Sequence, residues 1–326
     1  MRFAVVGTNF VSDSFMKGAL LCDDCKVVAV CSKSRENAEA FAQKYSIPNV
    51  FDTWCEMLEW GEFDAVYVAT PNSTHKEISE RFLSAKYHVF CEKPMAGSYG
   101  EVLSLVETAK KNGVYLHEGI VPLFSENFKI IKESLPLVGR VREVNINMSQ
   151  YSTRYDAYLR GEEPTTFKRE LCNGAVMDLG VYLLALCVAL FGEPKSTHSA
   201  SVMLDSGVDA STSMLLCYGD FIANLVCSKV CDTENKFEIC GENGTLMIDH
   251  PTKYTSIVYK SKKNGVRKEL ASESDNLFYY EIREMIDRIN SGNTQSVSAP
   301  LELSLTLHKL LTEIRKNTGI VFPCDK

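Results

Sequence analysis

The stretch Tyr87-His88-Val89-Phe90-Cys91-Glu92-Lys93-Pro94 decides the fold of this chain. Val89, Phe90 and Cys91 form a short apolar, β-favouring run, and the polar, helix-like segment from Ser73 to Lys86 precedes it. A run bounded in this way reads as a buried strand of a parallel sheet. At its carboxyl end stand an acid, a base and a proline. In open α/β sheets, ligands bind in the crevice beyond the carboxyl ends of the strands. Lys93 therefore stands where chemistry is done, and Pro94 stiffens the turn that holds it. A lysine at a strand end is also an ordinary solvated side chain. Position alone leaves both readings open.

Strand and helix signals alternate on either side of this stretch, the pattern of a doubly wound parallel sheet. Strands are expected at Arg2 to Val6, Lys26 to Cys31, Val50-Phe51, Asp64 to Ala69, Val89 to Cys91 and Val114 to His117. Helices are expected between them, one capped by Ser34 and running to Tyr45, another ending at Gly113. After Glu118 the rhythm changes. A helix near Asn127 to Ser134 leads to an alternating strand from Arg140 to Gln150, then a loop-rich stretch, then an apolar helix from about Ala175 to Phe191. Short alternating strands follow, with a hairpin at Glu242-Asn243-Gly244, and two helices close the chain. The expectation is a Rossmann-type domain over residues 1–120 and an α+β domain with a mainly antiparallel sheet over residues 121–326.

The chain has 326 residues, with 45% hydrophobic and 24% charged, enough to bury two sizeable cores. Its net charge is −7 and no basic block stands out, so nucleic acid and anionic membranes are not the expected partners. The sequence enters its first strand at Arg2 without a signal-peptide pattern. The apolar run Val181 to Phe191 is short for a bilayer and reads as a core helix. Twelve cysteines are scattered, and the one C-x-x-C, Cys22 to Cys25, lacks the second pair or histidines of a zinc site. No metal site is expected. A reduced, cytoplasmic protein is.

Gly7-Thr8-Asn9-Phe10-Val11-Ser12 lies between the first strand and the first helix, where a G-x-G-x-x-G fingerprint belongs. Only the first glycine is present. Asn9 is able to adopt the left-handed backbone of the second position, and Ser12 is small enough for close helix packing. Gly7, Thr8, Asn9 and Phe10 would thus present free helix N–H groups to a pyrophosphate. The end of the second strand reads Cys31-Ser32-Lys33-Ser34-Arg35, with no acid until Glu36. An NAD site places an acid there for the ribose hydroxyl. A hydroxyl and two cations, Ser32, Lys33 and Arg35, suit a 2′-phosphate instead. NADP(H) is the preferred expectation, with NAD(H) possible.

Asn173-Gly174-Ala175-Val176-Met177-Asp178-Leu179-Gly180-Val181-Tyr182 opens the apolar helix of the second domain. Asp178 and Tyr182 are four apart and share a helix face, and an acid in so apolar a segment needs a partner. Together, Thr70-Pro71-Asn72-Ser73-Thr74-His75, Glu92-Lys93-Pro94 and Asp178-Leu179-Gly180-Val181-Tyr182 resemble the Gfo/Idh/MocA oxidoreductases. The tyrosine form of the last motif is similar to the branch holding dimeric dihydrodiol dehydrogenase, xylose dehydrogenase and glucose–fructose oxidoreductase. Phe191-Gly192-Glu193-Pro194 and Ser206-Gly207-Val208-Asp209 resemble that branch too, while Glu118 to Pro122 lacks the arginine often found after that strand.

The resemblance implies that the second sheet is open-faced and serves for dimerisation. It also implies hydride transfer between nicotinamide and a carbinol carbon. It places Thr70, Pro71, Asn72, His75, Glu92, Lys93 and Pro94 around the cofactor. Oxidising an alcohol requires that its hydroxyl proton be removed as hydride leaves. A tyrosine with a pKa of about 10 is a weak base, and a lysine ammonium nearby favours its phenolate. Tyr182 is therefore the expected acid/base, Lys93 its electrostatic partner, and Asp178 the group that orients substrate or Lys93. Arg154, Tyr155, Asp156 and Arg169 are candidates for the substrate side, or charged surface loops. The expected substrate is a sugar, polyol, dihydrodiol or related small molecule. Two other readings share the fold: a non-catalytic cofactor sensor, and a glycosidase that uses nicotinamide transiently. A homodimer or higher oligomer is expected through the second sheet, because strands such as Arg140 to Gln150 and Phe221 to Val230 read as carrying apolar residues on both faces.

Overall fold

In a computed structural model, which describes residues 1–272 and 276–325, the chain forms two compact units. They are Met1–Val121 with Asp275–Ser304, and Pro122–Ser274 with Leu305–Lys326.

The first unit carries strands β1 (Arg2–Val6), β2 (Lys26–Cys31), β3 (Asn49–Phe51), β4 (Ala65–Val68), β5 (His88–Glu92) and β6 (Leu116–Gly119). They are parallel, in the order β3-β2-β1-β4-β5-β6. This is the doubly wound order, and its switch point lies between β1 and β4. The connecting helices are α1 (Phe10–Ala19), α2 (Arg35–Tyr45), α3 (Trp54–Trp60), α4 (Asn72–Ser84) and α5 (Tyr99–Asn112). Local chemistry sets their ends. Asn9, Ser34, Thr53 and Ser98 each accept a hydrogen bond from a first-turn N–H, and Gly61 and Gly113 close α3 and α5 in the left-handed conformation. Beyond Gly113, the Val114 N–H still bonds the Ala109 carbonyl. The sixth strand therefore starts at Leu116, later than its apolar run suggests.

The second unit contains α6 (Glu126–Val138), β7 (Val141–Ser149), α7 (Tyr155–Leu159) and α8 (Val181–Phe191). It continues with β8 (Ser196–Met203), β9 (Asp209–Cys217), β10 (Ile222–Ser228), β11 (Lys236–Gly241), β12 (Gly244–Ile248), β13 (Ile257–Ser261) and β14 (Arg267–Glu269). The eight strands run β14-β13-β12-β11-β7-β10-β9-β8, antiparallel except for the parallel pair β7 and β10. Helices α6 and α8 pack on one face of this sheet, over Val144, Ile146, Ala223, Leu225, Phe237, Ile239 and Leu246, all buried. The opposite face is mixed: β10 carries apolar residues on both sides, with Ile222 and Val226 on the open one, whereas β7 presents Glu143, Asn145 and Asn147 there. Asn224 there donates to Asn145 (3.0 Å) and to Glu143 (3.3 Å), and Ser149 and Thr233 donate to Asn147 at 2.9 and 3.0 Å. The alternation within β7 is apolar against polar, which lets that strand's outer side stand open without a second layer.

After the second sheet the chain returns to the first unit with α9 (Leu277–Asn290), before α10 (Leu301–Thr318). Ile282, Met285 and Ile286 of α9 are buried in the cluster built on Phe3, Phe15, Tyr67 and Phe90. Phe15 stacks on Tyr67 with centroids 4.0 Å apart. Gly18 makes the approach of α9 possible, since a Cβ there would lie 2.7 Å from Phe278 Cβ. Residues 276–304 thus belong with the first unit, whereas a single cut at residue 120 groups them with the second. The stretch Arg169–Phe191 has the length and composition to cross a membrane, but 72% of its most apolar window is buried in the fold, as a core segment is.

Candidate active site

The candidate residues of the first unit gather at the carboxyl ends of β1, β2, β4 and β5. Gly7 turns the chain after β1 with φ +107°, and a Cβ on it would lie 2.2 Å from the Ala69 carbonyl oxygen. No other residue fits that position. Asn9 takes extended backbone (φ −84°, ψ 179°) rather than the left-handed form its side chain could support. It is the cap of α1: its Oδ1 accepts from Val11 and Ser12 N–H, and its Nδ2 donates to Ala69 at 2.9 Å. The second glycine is thus replaced by a side chain that bolts the turn to β4. Buried Ser12 donates to the Gly7 carbonyl at 2.8 Å and closes the turn from within. Thr8 donates to Ser32 at 3.3 Å, joining the first turn to the end of β2, and Phe10 is exposed. The tight Gly7 turn at a helix N-terminus fits a dinucleotide pyrophosphate.

At the end of β2, Lys33 is exposed and Ser34 caps α2. Arg35 bonds Glu39 (2.7 Å) and Asp52 (3.3 Å), with all three side chains more than half exposed. Such surface pairs contribute about 0–1 kcal/mol, so they yield readily to a phosphate dianion.

Beyond β4, Thr74 donates to the Thr70 hydroxyl and the Pro71 carbonyl, both at 2.8 Å, at the start of α4, whose first residue is Asn72. His75 is fully enclosed, its Nδ1 2.9 Å from the Pro94 carbonyl and its Nε2 2.8 Å from the Thr70 carbonyl. It ties the β4 turn to the β5 turn, and burial lowers its pKa. The Met95 N–H donates to buried Glu118 Oε1 at 2.8 Å, and Tyr67 donates to buried Glu92 at 2.6 Å. The turn around half-buried Lys93 and the cis Lys93-Pro94 bond is therefore held by His75, Glu118 and Glu92 with Tyr67. Burial lifts Glu92 from an ordinary value of 4.5 to about 7, against the opposing pull of Tyr67 and Lys93. Glu281, on α9, faces His117 at 3.3 Å deeper in the same unit, and burial raises its pKa while lowering that of His117 to about 4.

In the second unit, Asp178 belongs to a π turn, Val176–Gly180, that runs directly into α8. Every residue from Gly174 to Val188 is buried except Asp178 and Tyr182, which are half-buried. The structure thus brings these two to one exposed face. Gly174 has φ +129°, and a Cβ there would strike Asp209 Oδ1. Asp209 is fully buried and accepts from Val176 N–H (2.8 Å) and Thr212 (2.6 Å), capping the π turn. Gly180 packs on the second sheet, where a Cβ would sit 3.3 Å from Cys227 Sγ. Asp178 pairs with Lys229, a residue that the sequence reading missed because Lys229 lies 51 positions away.

Arg154 and Asp156 are exposed, Asp156 accepting from Tyr151 at 2.6 Å. Tyr155 packs among Tyr151, Tyr158 and Phe167. Arg169 is exposed beside Glu170 and Gly207. The described contacts give these four residues a surface setting. The loop that carries the first three is nonetheless anchored near the motif, since Ser152 N–H bonds the Lys229 carbonyl at 2.9 Å. Cys22 is buried and Cys25 half-buried, and burial pushes the Cys25 thiol up to about 12. That leaves it an unreactive thiol.

Residues 1–120 match the profile of an oxidoreductase family with an NAD-binding Rossmann fold, GFO_IDH_MocA, and residues 137–247 match the GFO/IDH/MocA C-terminal domain. The chain belongs to the GFO/IDH/MocA oxidoreductase family. Over its full length it is 39% identical to the oxidoreductase YgjR of Escherichia coli, covering 98% of that protein. It is 37% identical to scyllo-inositol 2-dehydrogenase (NADP(+)) IolU of Bacillus subtilis, covering all of this chain and 99% of that one. Among solved structures, KijD10, a 3-ketoreductase from Actinomadura kijaniata, in complex with NADP and TDP-benzene, superposes with a TM-score of 0.87. That match has 20% identity and covers 98% of both chains, which shows the shared fold. As a GFO/IDH/MocA member, the protein is a nicotinamide-dependent oxidoreductase acting on a small molecule.

Proposed function

We propose that this protein is an NADP(H)-dependent dehydrogenase or reductase of a polyol, sugar, dihydrodiol or related compound, with cyclic polyols first in line. The observation that carries the reading is the half-buried pair Asp178 and Tyr182, the two residues between Gly174 and Val188 that are not fully buried. A core helix has no structural need of an acid and a phenol on its one open face. The 37% identity to an NADP-dependent inositol dehydrogenase across the whole chain supports the substrate class.

Gly7, Thr8, Asn9, Phe10, Thr70, Pro71, Asn72, His75, Glu92, Lys93 and Pro94 would hold the dinucleotide, and Ser32, Lys33 and Arg35 its 2′-phosphate. When bound, the nicotinamide ring accepts or supplies hydride. Tyr182 takes the substrate hydroxyl proton in oxidation and returns it in reduction. Lys93 favours the phenolate electrostatically. Asp178 orients the reacting hydroxyl. A cofactor sensor would need no such acid/base set, and a glycosidase would not consume its cofactor.

Two assays test the reading. Fluorescence titration should give tighter binding of NADP(H) than of NAD(H), and an acid introduced at Ser32 should weaken NADP(H) by like-charge repulsion. A panel of inositols, aldoses, dihydrodiols and dicarbonyls, followed by nicotinamide absorbance, should show net cofactor turnover. Equal or tighter NAD(H) binding would overturn the cofactor preference, and no turnover across the panel would overturn the substrate class.

A further inference from the structure

Lys229 is built into the fold with more care than a surface cation receives. It follows β10 by one residue, its N–H bonding the Ala210 carbonyl and its own carbonyl accepting from Ser152, each at 2.9 Å. Its side chain is only 10% exposed, and its ammonium rests on Asp178 Oδ2. A buried ammonium is tolerated when it is paired, so this contact is expected to persist. The pair is asymmetric: the Asp178 side chain is 39% exposed and reaches outward, while the lysine lies beneath it. The π turn is also held against β10 at Gly180 and Cys227. Lys229 therefore holds the carboxylate itself, while the turn that carries it packs on the end of β10. An ion pair whose carboxylate is 39% exposed lies where a ligand hydroxyl can reach it, while its cation stays fixed below.

We propose that Lys229 is a positioning residue of the reaction. It fixes the Asp178 carboxylate so that the hydroxyls of a polyol are held beside Tyr182 in one orientation. The inference rests on the site reading given above and adds to it a residue that acts only through Asp178. Misplacement of a reacting group by about an ångström can cost on the order of 10²-fold in rate. Lys229→Met should accordingly lower kcat/KM for a cyclohexane polyol with NADP⁺ by about that factor, with NADP⁺ affinity unchanged. Lys229→Arg, which keeps the charge and the buried stem, should recover most of the loss, whereas Lys229→Gln should not.

The deciding experiment is a double-mutant cycle with Asp178→Asn, measured on the full-length protein with thermal melts of every variant. If Lys229 works through Asp178, the double variant is scarcely worse than Asp178→Asn alone. Additive losses, or a Lys229→Met enzyme within about threefold of the unsubstituted protein while Asp178→Asn is crippled, would overturn the inference and leave the site reading standing. Normal turnover in Asp178→Asn would instead overturn Asp178's place in the site, and with it the role of Lys229. Should Lys229→Met fail to fold, the comparison of Lys229→Arg with Lys229→Gln decides, equal turnover in the two counting against the inference.

Discussion

Glu92 shows how a single residue carries information that sequence alone half reveals. Its place in the Glu92-Lys93-Pro94 turn marks it, but its burial and its bond to Tyr67 depend on β4 lying beside β5. Burial raises its carboxyl to about 7, so the folded protein holds that proton more tightly than the unfolded chain does. Its contribution to stability is complete below the unfolded value of about 4.3 and is lost as pH rises through the folded value. Glu92→Gln keeps an acceptor for Tyr67 and removes the ionisation. The variant's melting temperature should therefore gain on that of the unsubstituted protein between about pH 5 and about pH 8. Parallel melting curves across that range would show that Glu92 does not titrate there. Lys93 and Tyr182 were legible from their motifs. Lys229 was not, and Asp209 was marked only by its Ser206-Gly207-Val208-Asp209 motif, because each meets the π turn from a position distant in sequence.

Among the elements, the α/β rhythm of the first unit could be read directly, because a capping side chain opens α1, α2, α3 and α5, and a left-handed glycine ends α3 and α5. The element bearing Asp178 is different: the sequence suggests one continuous helix, and the structure begins it with a π turn. Single π turns inside helices occur often at functional sites. Asp209 holds this turn by accepting the Val176 N–H, and Gly174 leaves room for its carboxylate. Asp209→Ala should leave a buried donor unsatisfied and lower the unfolding free energy by about 1–3 kcal/mol. Chemical denaturation would check this, and an unchanged midpoint would show that the turn needs no cap. The parallel pairing of β7 with β10 was also hidden, since nothing local in either strand specifies its neighbour.

At the scale of the whole molecule, two arrangements escaped the sequence. Residues 277–290 read as a helix, yet only the fit of Phe278 against Gly18 and of Ile282, Met285 and Ile286 into the Phe15 cluster assigns that helix to the first unit. The open face of the second sheet mixes amides with apolar side chains where a more apolar face was expected. We still expect a homodimer or higher oligomer through that face, joined by the amides and hydroxyls of β7, β9 and β10 with a few apolar side chains such as Val226 and Leu215. Interfaces of this kind hold many bridging waters and need no large apolar patch. Light scattering at micromolar concentration should report a multiple of the monomer mass, and a monomer alone would end that expectation. The central claim, that Tyr182 and Lys93 together move the substrate proton, is tested most directly by turnover of Tyr182→Phe, Lys93→Met and the double variant beside the unsubstituted enzyme. Each single change should lower turnover by roughly 10²- to 10⁴-fold with little change in NADP(H) binding by Tyr182→Phe, and the double variant should be scarcely slower than either single. Near-normal turnover in Tyr182→Phe, with chemistry rate-limiting, would contradict the account.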